Sequence, residues 1–125
     1  MESNGCLFCN KEKHNILIEN DFCYSRTDDF PASPGHIEVV PKKHIVSFFD
    51  LDDDEIVKVY DVLNRTKKII DKKYKPDGYN LGVNDGEAAG RTINHLHIHL
   101  IPRYKGDVKN PRGGIRHIIP DKGFY

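Results

Sequence analysis

The chain has no excess of charge of either sign, since 19 Lys and Arg are balanced by 19 Asp and Glu. A neutral chain has no general electrostatic attraction for DNA, RNA or an anionic membrane, so a polyanionic ligand must be gripped by local donors. No apolar run approaches the ~20 residues of a membrane span. The start, from Met1 to Asn10, lacks a basic flank followed by an apolar stretch, so no secretory leader is expected. Only three cysteines are present, which excludes the disulfide framework of a small secreted domain. Nucleic acid and membrane are therefore not expected partners, and the cytoplasm is the expected compartment. Repeats, low-complexity tracts and long linkers are missing as well. One domain over residues 1–125, with a core of ordinary size, is expected.

What is present reads as an α+β domain. Residues Asn15 to Ser25 mix apolar and polar positions around a turn at Glu19-Asn20-Asp21, predicting two short strands. The run from Asp28 to Gly35 contains two prolines and a glycine and reads as a loop. His36 to Val40 is β-branched and is stopped by Pro41. Asp50-Leu51-Asp52-Asp53-Asp54-Glu55 opens one long helix, because acidic residues suit a helix N-terminus. Ile56, Val59, Leu63, Ile70 and Tyr74 give that helix an apolar stripe, and Pro76-Asp77-Gly78 ends it. Tyr79 to Asn84 alternates like a strand. Asp85-Gly86-Glu87-Ala88-Ala89-Gly90 is a loop. A mainly antiparallel sheet follows from this order.

The stretch from Thr92 to Ile101 alternates strictly over its histidines. On a strand His95, His97 and His99 share one face, while Leu96, Ile98 and Leu100 share the other. Imidazoles at i and i+2 lie roughly 6.5 to 7 Å apart, close enough to relay hydrogen bonds or share a ligand. A solvated strand has no reason to carry three of them over a purely aliphatic opposite face. Two functional readings stand. A His-x-His pair can chelate a metal, as in a metal lyase, or one histidine can be a covalent nucleophile whose neighbours set its tautomer. The preceding loop favours the nucleophile, because Gly86 and Gly90 allow close backbone approach, and Arg91 and Thr92 are donors for phosphate oxygens. Cys6-x-x-Cys9 supplies half of a zinc site or a redox pair, and the motif alone leaves both open. Cys23 is expected to be a buried small hydrophobe, and His14 and His117 ordinary residues.

Gly-x-Thr-x-x-His-x-His-x-His-x-x-Pro-Arg, from Gly90 to Arg103, resembles the signature of the histidine triad (HIT) family. The similarity spans nearly the whole chain. Cys6-x-x-Cys9 is similar to the opening of bacterial zinc-containing members, and Asp28 to His36 with Pro41-Lys42-Lys43-His44 to their middle segment. Asp85 to Gly90 resembles the loop before the triad in dinucleoside polyphosphate hydrolases. The tail from Tyr104 to Tyr125 resembles a bacterial subgroup.

The resemblance implies a five-stranded antiparallel sheet with one long helix and a short one, dimerising into a ten-stranded sheet. It implies cleavage of an NMP-X phosphate bond through a nucleotidyl-histidine at His97, supported by His99 and His36. Asp28 then faces the ribose hydroxyls; Asn84, Gly90, Arg91, Thr92 and His99 lie at the nucleotide, a purine nucleotide giving an AMP- or GMP-type product. Cys6, Cys9, His44 and His95 would hold a structural Zn2+, and the substrate can arrive as its Mg2+ complex. A diadenosine polyphosphate hydrolase is the first expectation; a nucleoside phosphoramidase or a nucleotide sensor with little turnover are the alternatives. Two positions depart from the pattern. Arg91 replaces a glutamine, and a guanidinium donates but never accepts. Arg26 stands near where many relatives place an aromatic against the base.

Overall fold

Short alternating runs closed by turn residues build the sheet, and one capped helix covers one of its faces. The computed structural model describes residues 6–9 and 15–125. Its strands are β1 (Ile16–Glu19), β2 (Cys23–Thr27), β3 (Ile37–Pro41), β4 (Gly78–Gly82) and β5 (Ile98–Arg103), with the helix α1 at Asp53–Tyr74. The sheet order is β1-β2-β3-β5-β4, and every neighbouring pair is antiparallel. The α+β architecture with a five-stranded antiparallel sheet and one long helix is thus the one expected. The short helical elements are 3-10 turns at Phe48–Asp50, Glu87–Ala89 and Gly114–Ile118. Among the described residues no helix is long and apolar enough to cross a membrane.

Asn20 makes the first hairpin. Its Oδ1 accepts from the amides of Phe22 and Cys23, the side-chain mimic of a backbone turn. Its Nδ2 donates to the Lys58 carbonyl at 2.9 Å, tying the hairpin to α1. The helix starts at the N-cap Asp52 with a reciprocal Asp52–Glu55 capping box, and it ends at Lys75 in the left-handed conformation just before Pro76.

The buried stripe of α1 is Val59, Val62, Thr66 and Ile70. Of the expected stripe, Val59 and Ile70 are buried and Leu63 is half-buried, whereas Ile56 and Tyr74 reach solvent. The stripe is rotated because it runs through a polar residue. The Thr66 hydroxyl donates to the Val62 carbonyl and meets the Ser25 hydroxyl, both at 2.7 Å, so it is satisfied without water.

The two faces of the sheet are chemically distinct. Cys23, Ile37, Val39, Ile98 and Leu100 pack with Val59, Val62 and Ile70 in the main core. Alternation turns Tyr24, Arg26, Glu38, Val40 and His99 to the opposite face. Register sets Arg26 beside Glu38, Glu38 beside His99, and His99 beside Gly82, a row across four strands. The predicted strand over the whole histidine run is shorter than expected, since β5 begins only at Ile98. The chain before it bends, and the Leu96 amide donates to the Ile45 carbonyl at 2.7 Å. His95 is thereby turned out of the row while Leu96 stays in the core.

Candidate active site

Three backbone groups fix the protons of the histidines. His97 is 9% exposed, and its Nδ1 lies 2.8 Å from the His95 carbonyl. A carbonyl only accepts, so Nδ1 carries the proton and Nε2 is left as a bare lone pair. His36 Nδ1 accepts from the Ala32 amide at 2.9 Å, which puts the His36 proton on Nε2. That nitrogen is 2.9 Å from His99 Nδ1. His99 therefore accepts on Nδ1 and keeps its own proton on Nε2. Burial lowers both rings below the ordinary imidazole value, with Asp28 opposing it at His36. His99 falls to about 4, helped by His97 and His36. The rings of His97 and His99 meet edge to face, 5.1 Å apart.

Asp28 closes the site from the loop after β2. Its amide donates to the His36 carbonyl, and its Oδ1 accepts from the Phe30 amide at 2.8 Å. Oδ2 is 3.5 Å from His36 Nε2 and 3.7 Å from His99 Nδ1. Burial pushes the Asp28 carboxyl up, but the Phe30 amide, His36, Glu38 and His99 outweigh it and hold it below its ordinary value. Asp28, His36 and His99 have the spacing of metal ligands. The Ala32 amide argues otherwise, because it occupies Nδ1 and keeps a proton on the nitrogen that would have to ligate. This trio is a hydrogen-bond relay rather than a ligand set.

Sequence reasoning missed two residues here. Glu38 is a lone carboxyl in an apolar strand, a signal that was available, and it bonds Arg26 at 2.6 Å. Phe8 lies between the two cysteines, 1% exposed, with its ring 4.9 Å from that of His97. Arg26 sits 5.4 Å over the same Phe8 ring and also bonds Asp29.

The loop before the histidines is placed differently. Gly86 and Gly90 have φ of 101° and 98°, the left-handed region that glycine enters without strain. Arg91 Nη1 is 3.8 Å from Asp85 Oδ1, while Asp85 Oδ2 accepts from the Ser47 hydroxyl and the Phe48 amide. Asn84 and Thr92 are exposed. The relay thus unites His36, His97, His99 and Asp28, while Gly90 and Arg91 bond within their own loop, to Glu87, Gly86 and Asp85.

A second cluster lies behind His97. Cys6 Sγ is 3.3 Å from His95 Nδ1, Cys9 Sγ is 3.3 Å from His44 Nδ1, and Cys9 Sγ is 3.5 Å from His95 Nδ1. Sulfur and nitrogen sharing one tetrahedral zinc stand about 3.6 Å apart, so the donor set fits that ion. His95 Nε2 lies 2.8 Å from the Pro41 carbonyl, which holds the proton there and turns Nδ1 to the thiols. Four protein ligands leave no open position. Tyr24 donates to the Phe8 carbonyl at 2.8 Å, so the segment carrying both cysteines is tied to the sheet beside His97. Cys23 is fully buried, and burial pushes its thiol up to about 12. His117 is exposed and stacks on Phe124, and His14 lies outside the described residues.

Comparison with known proteins agrees with this geometry. The HIT domain model matches residues 10–106. The chain is 39% identical over 106 residues to an uncharacterized HIT-like protein of Methanocaldococcus jannaschii, covering 82% of this chain and 81% of that one. It is 35% identical over 95 residues to the bis(5'-adenosyl)-triphosphatase of Dictyostelium discoideum, covering 76% and 64% respectively. Its fold is similar to that of a zinc-bound histidine triad family protein from Mycobacterium smegmatis, with a TM-score of 0.74, 30% identity, and coverage of 85% of this chain and 80% of that one. The family model spans well over half of the sequence and includes the relay and two of the four cluster donors, His44 and His95, with Cys6 and Cys9 before its start. The chain belongs to the HIT family.

Proposed function

We propose that this protein is a nucleotidyl hydrolase or transferase that cleaves an NMP-X phosphate bond, with a dinucleoside polyphosphate as the first substrate to test. One observation carries the reading: His97 Nε2 is left as an unprotonated nucleophile beside a pair of neutral histidines whose protons are directed by backbone groups. Similarity to a bis(5'-adenosyl)-triphosphatase supports the choice of substrate.

In this reading His97 Nε2 attacks the α-phosphorus. The bond to X breaks, X leaves with the electron pair, and nucleotidyl-His97 remains. Water then attacks the same phosphorus, the P–N bond breaks, and the mononucleotide and free His97 are released. His99 Nε2–H donates to the phosphoryl oxygens, and His36 keeps His99 in the tautomer that can do so. Arg91, Thr92, Asn84 and the backbone at Gly90 supply further donors, and Asp28 accepts from the ribose hydroxyls. Mg2+ enters, if at all, with the polyphosphate.

The four-ligand cluster is read as a structural zinc, which would brace Phe8 and His97 without touching substrate. A cavity of about 750 Å³, lined by Ala32, Ile101, Arg103, Lys109 and Phe124 but by none of the relay side chains, is read as room for the leaving group X. Residues 1–125 are read as one HIT domain in the cytoplasm, with β4 as the open edge through which two copies join.

Acid-stable trapping is ill-suited to a P–N bond, so the test is rapid mixing with an α-phosphate-labelled dinucleotide followed by an alkaline quench. Label retained on wild-type protein and absent from His97→Ala, which still binds AMP, is the expected result. Turnover at the wild-type rate in folded His97→Ala would overturn the mechanism. Binding of AMP with no turnover of any dinucleotide or phosphoramidate would leave a nucleotide sensor.

A further inference from the structure

Glu38 takes no part in the chemistry above, yet it lies beneath its centre. The side chain is 5% exposed and stands between Arg26 on β2 and His99 on β5. Its Oε1 accepts from Arg26 Nη1 at 2.6 Å. Its Oε2 is 3.9 Å from His99 Nδ1, the same nitrogen that Asp28 Oδ2 approaches to 3.7 Å.

In this corner the hydrogen bonds of Arg26 and His36 run to partners other than Asp28. The His99 Nδ1 lone pair is already occupied by the proton of His36 Nε2. Arg26 donates from Nη1 to Glu38 and from Nη2 to Asp29, and its buried Nε has no partner among the described residues. Asp28 Oδ1 takes the Phe30 amide, and Oδ2 lies 3.5 Å from His36 Nε2 and 3.7 Å from His99 Nδ1. Two ionised carboxylates drawn toward the same, already occupied, nitrogen would repel one another, which is costly in a buried place. A proton on one carboxyl resolves the conflict. Glu38 is the one to hold it, because its side chain is 5% exposed against 14% for Asp28.

We propose that Glu38 is a positioning residue: a buried carboxylic acid whose Oε2–H donates to the Asp28 carboxylate and holds it toward the ribose. The part about ribose rests on the proposed function; the carboxyl pair does not. Burial, and then the charge of Asp28, raise Glu38 to about 7 against the opposing pull of Arg26. The groups around Glu38 are Arg26 and Tyr24 from β2, Asp28 from the following loop, and His97 and His99 from the β5 side. His36 and His99 are held as neutral tautomers by their hydrogen bonds. Ionisation of Glu38 thus sets it against Asp28 and loosens the grip on the ligand.

Two measurements on the full protein test this. Carboxyl carbon NMR of glutamate-labelled protein should show one resonance titrating far above the rest, and it should vanish in Glu38→Gln. AMP affinity should fall on the order of tenfold as that group ionises, the worth of one hydrogen bond to a charged group. Glu38→Gln retains a donor toward Asp28 and an acceptor for Arg26, so it should bind tightly with that fall removed. Glu38→Leu should bind weakly at every pH. The phosphate of AMP titrates in the same range, so the contrast with Glu38→Gln is the deciding quantity. Absence of the high-titrating resonance, or an unchanged fall in Glu38→Gln, would overturn the proposal. If 2',3'-dideoxy-AMP follows AMP through the transition, the carboxyl pair stands and the ribose role of Asp28 fails instead.

Discussion

His36 Nε2 lies 2.9 Å from His99 Nδ1, and the Ala32 amide decides which of the two nitrogens owns the proton. A backbone donor on the far side of one ring thereby sets the tautomer of another ring two strands away in the sequence of the relay. His99 is delivered neutral, with Nε2–H facing outward. An imidazole that lost this partner would be free to hold its proton on Nδ1, the wrong side for the phosphoryl group. His36→Ala should therefore lower kcat by on the order of a hundredfold, the usual worth of a positioned proton donor, with a small change in AMP affinity. Steady-state kinetics beside calorimetric binding of AMP checks this, and an unaltered kcat would show that His99 needs no such partner.

The cluster of Cys6, Cys9, His44 and His95 should hold about one zinc per chain, by the count of a closed tetrahedral site. Cys9→Ser should lose the metal and lower the melting temperature, because Phe8 and its contact with His97 depend on the same segment. Metal content by mass spectrometry and a thermal melt with and without chelator decide it. A metal-free wild-type protein whose melting temperature is indifferent to added zinc would remove the structural role.

The periodicities were legible, and with them the sheet, the helix and the face on which His97 and His99 stand. Alternation and caps act over a few residues, so their marks are local. Thr66 was not legible as a core residue, because its burial depends on Ser25, 41 positions away. By alternation alone His95 reads as one rung of a ladder, whereas the family resemblance sets it with Cys6, Cys9 and His44; the Pro41 carbonyl and the two thiols supply the physical reason. Arg26 was visible as a departure from the family, but the compensating Glu38 becomes apparent only once β2 and β3 are in register.

Glu38 and His99 should pull the pH dependence of stability in opposite directions. His99 drops from 6.5 to about 4, so the unfolded chain binds the extra proton, and stability is lost as pH falls through that window. Glu38 rises from 4.5 to about 7, so the folded chain binds the extra proton; its contribution is full below 4.5 and lost as pH rises through about 7. The two effects oppose each other between about pH 4.5 and 6.5, so the wild-type melting temperature should be nearly level there. Glu38→Gln should keep the loss as pH falls below 6.5 and lack the opposing decline up to about 7, so its melting temperature should rise with pH across that window. Melting temperatures of both proteins at matched ionic strength test the sign, and parallel curves would refute it.

Arg91 offers the test most specific to this chain, because it stands where the family pattern has glutamine. Its guanidinium rests near Asp85 at 3.8 Å, a single long ion pair of the kind that contributes little. Asp85 is meanwhile held by stronger partners, the Ser47 hydroxyl and the Phe48 amide at 2.9 Å each. Releasing Arg91 therefore disturbs the loop little, and the left-handed Gly90 beside it allows the backbone to approach a ligand. The guanidinium is expected to leave Asp85 for the phosphates when nucleotide binds. Arg91→Gln should weaken binding of AMP, and of polyphosphates more, by roughly three- to tenfold at low salt, as for a charge-assisted contact at a partly exposed site. The loss should shrink at high salt, where screening has already weakened the wild-type contact. kcat can rise in the same variant, since a carboxamide both donates and accepts near the scissile bond. Titration of AMP at two ionic strengths settles the point: equal affinities for wild-type and Arg91→Gln at low salt would mean that Arg91 stays with Asp85.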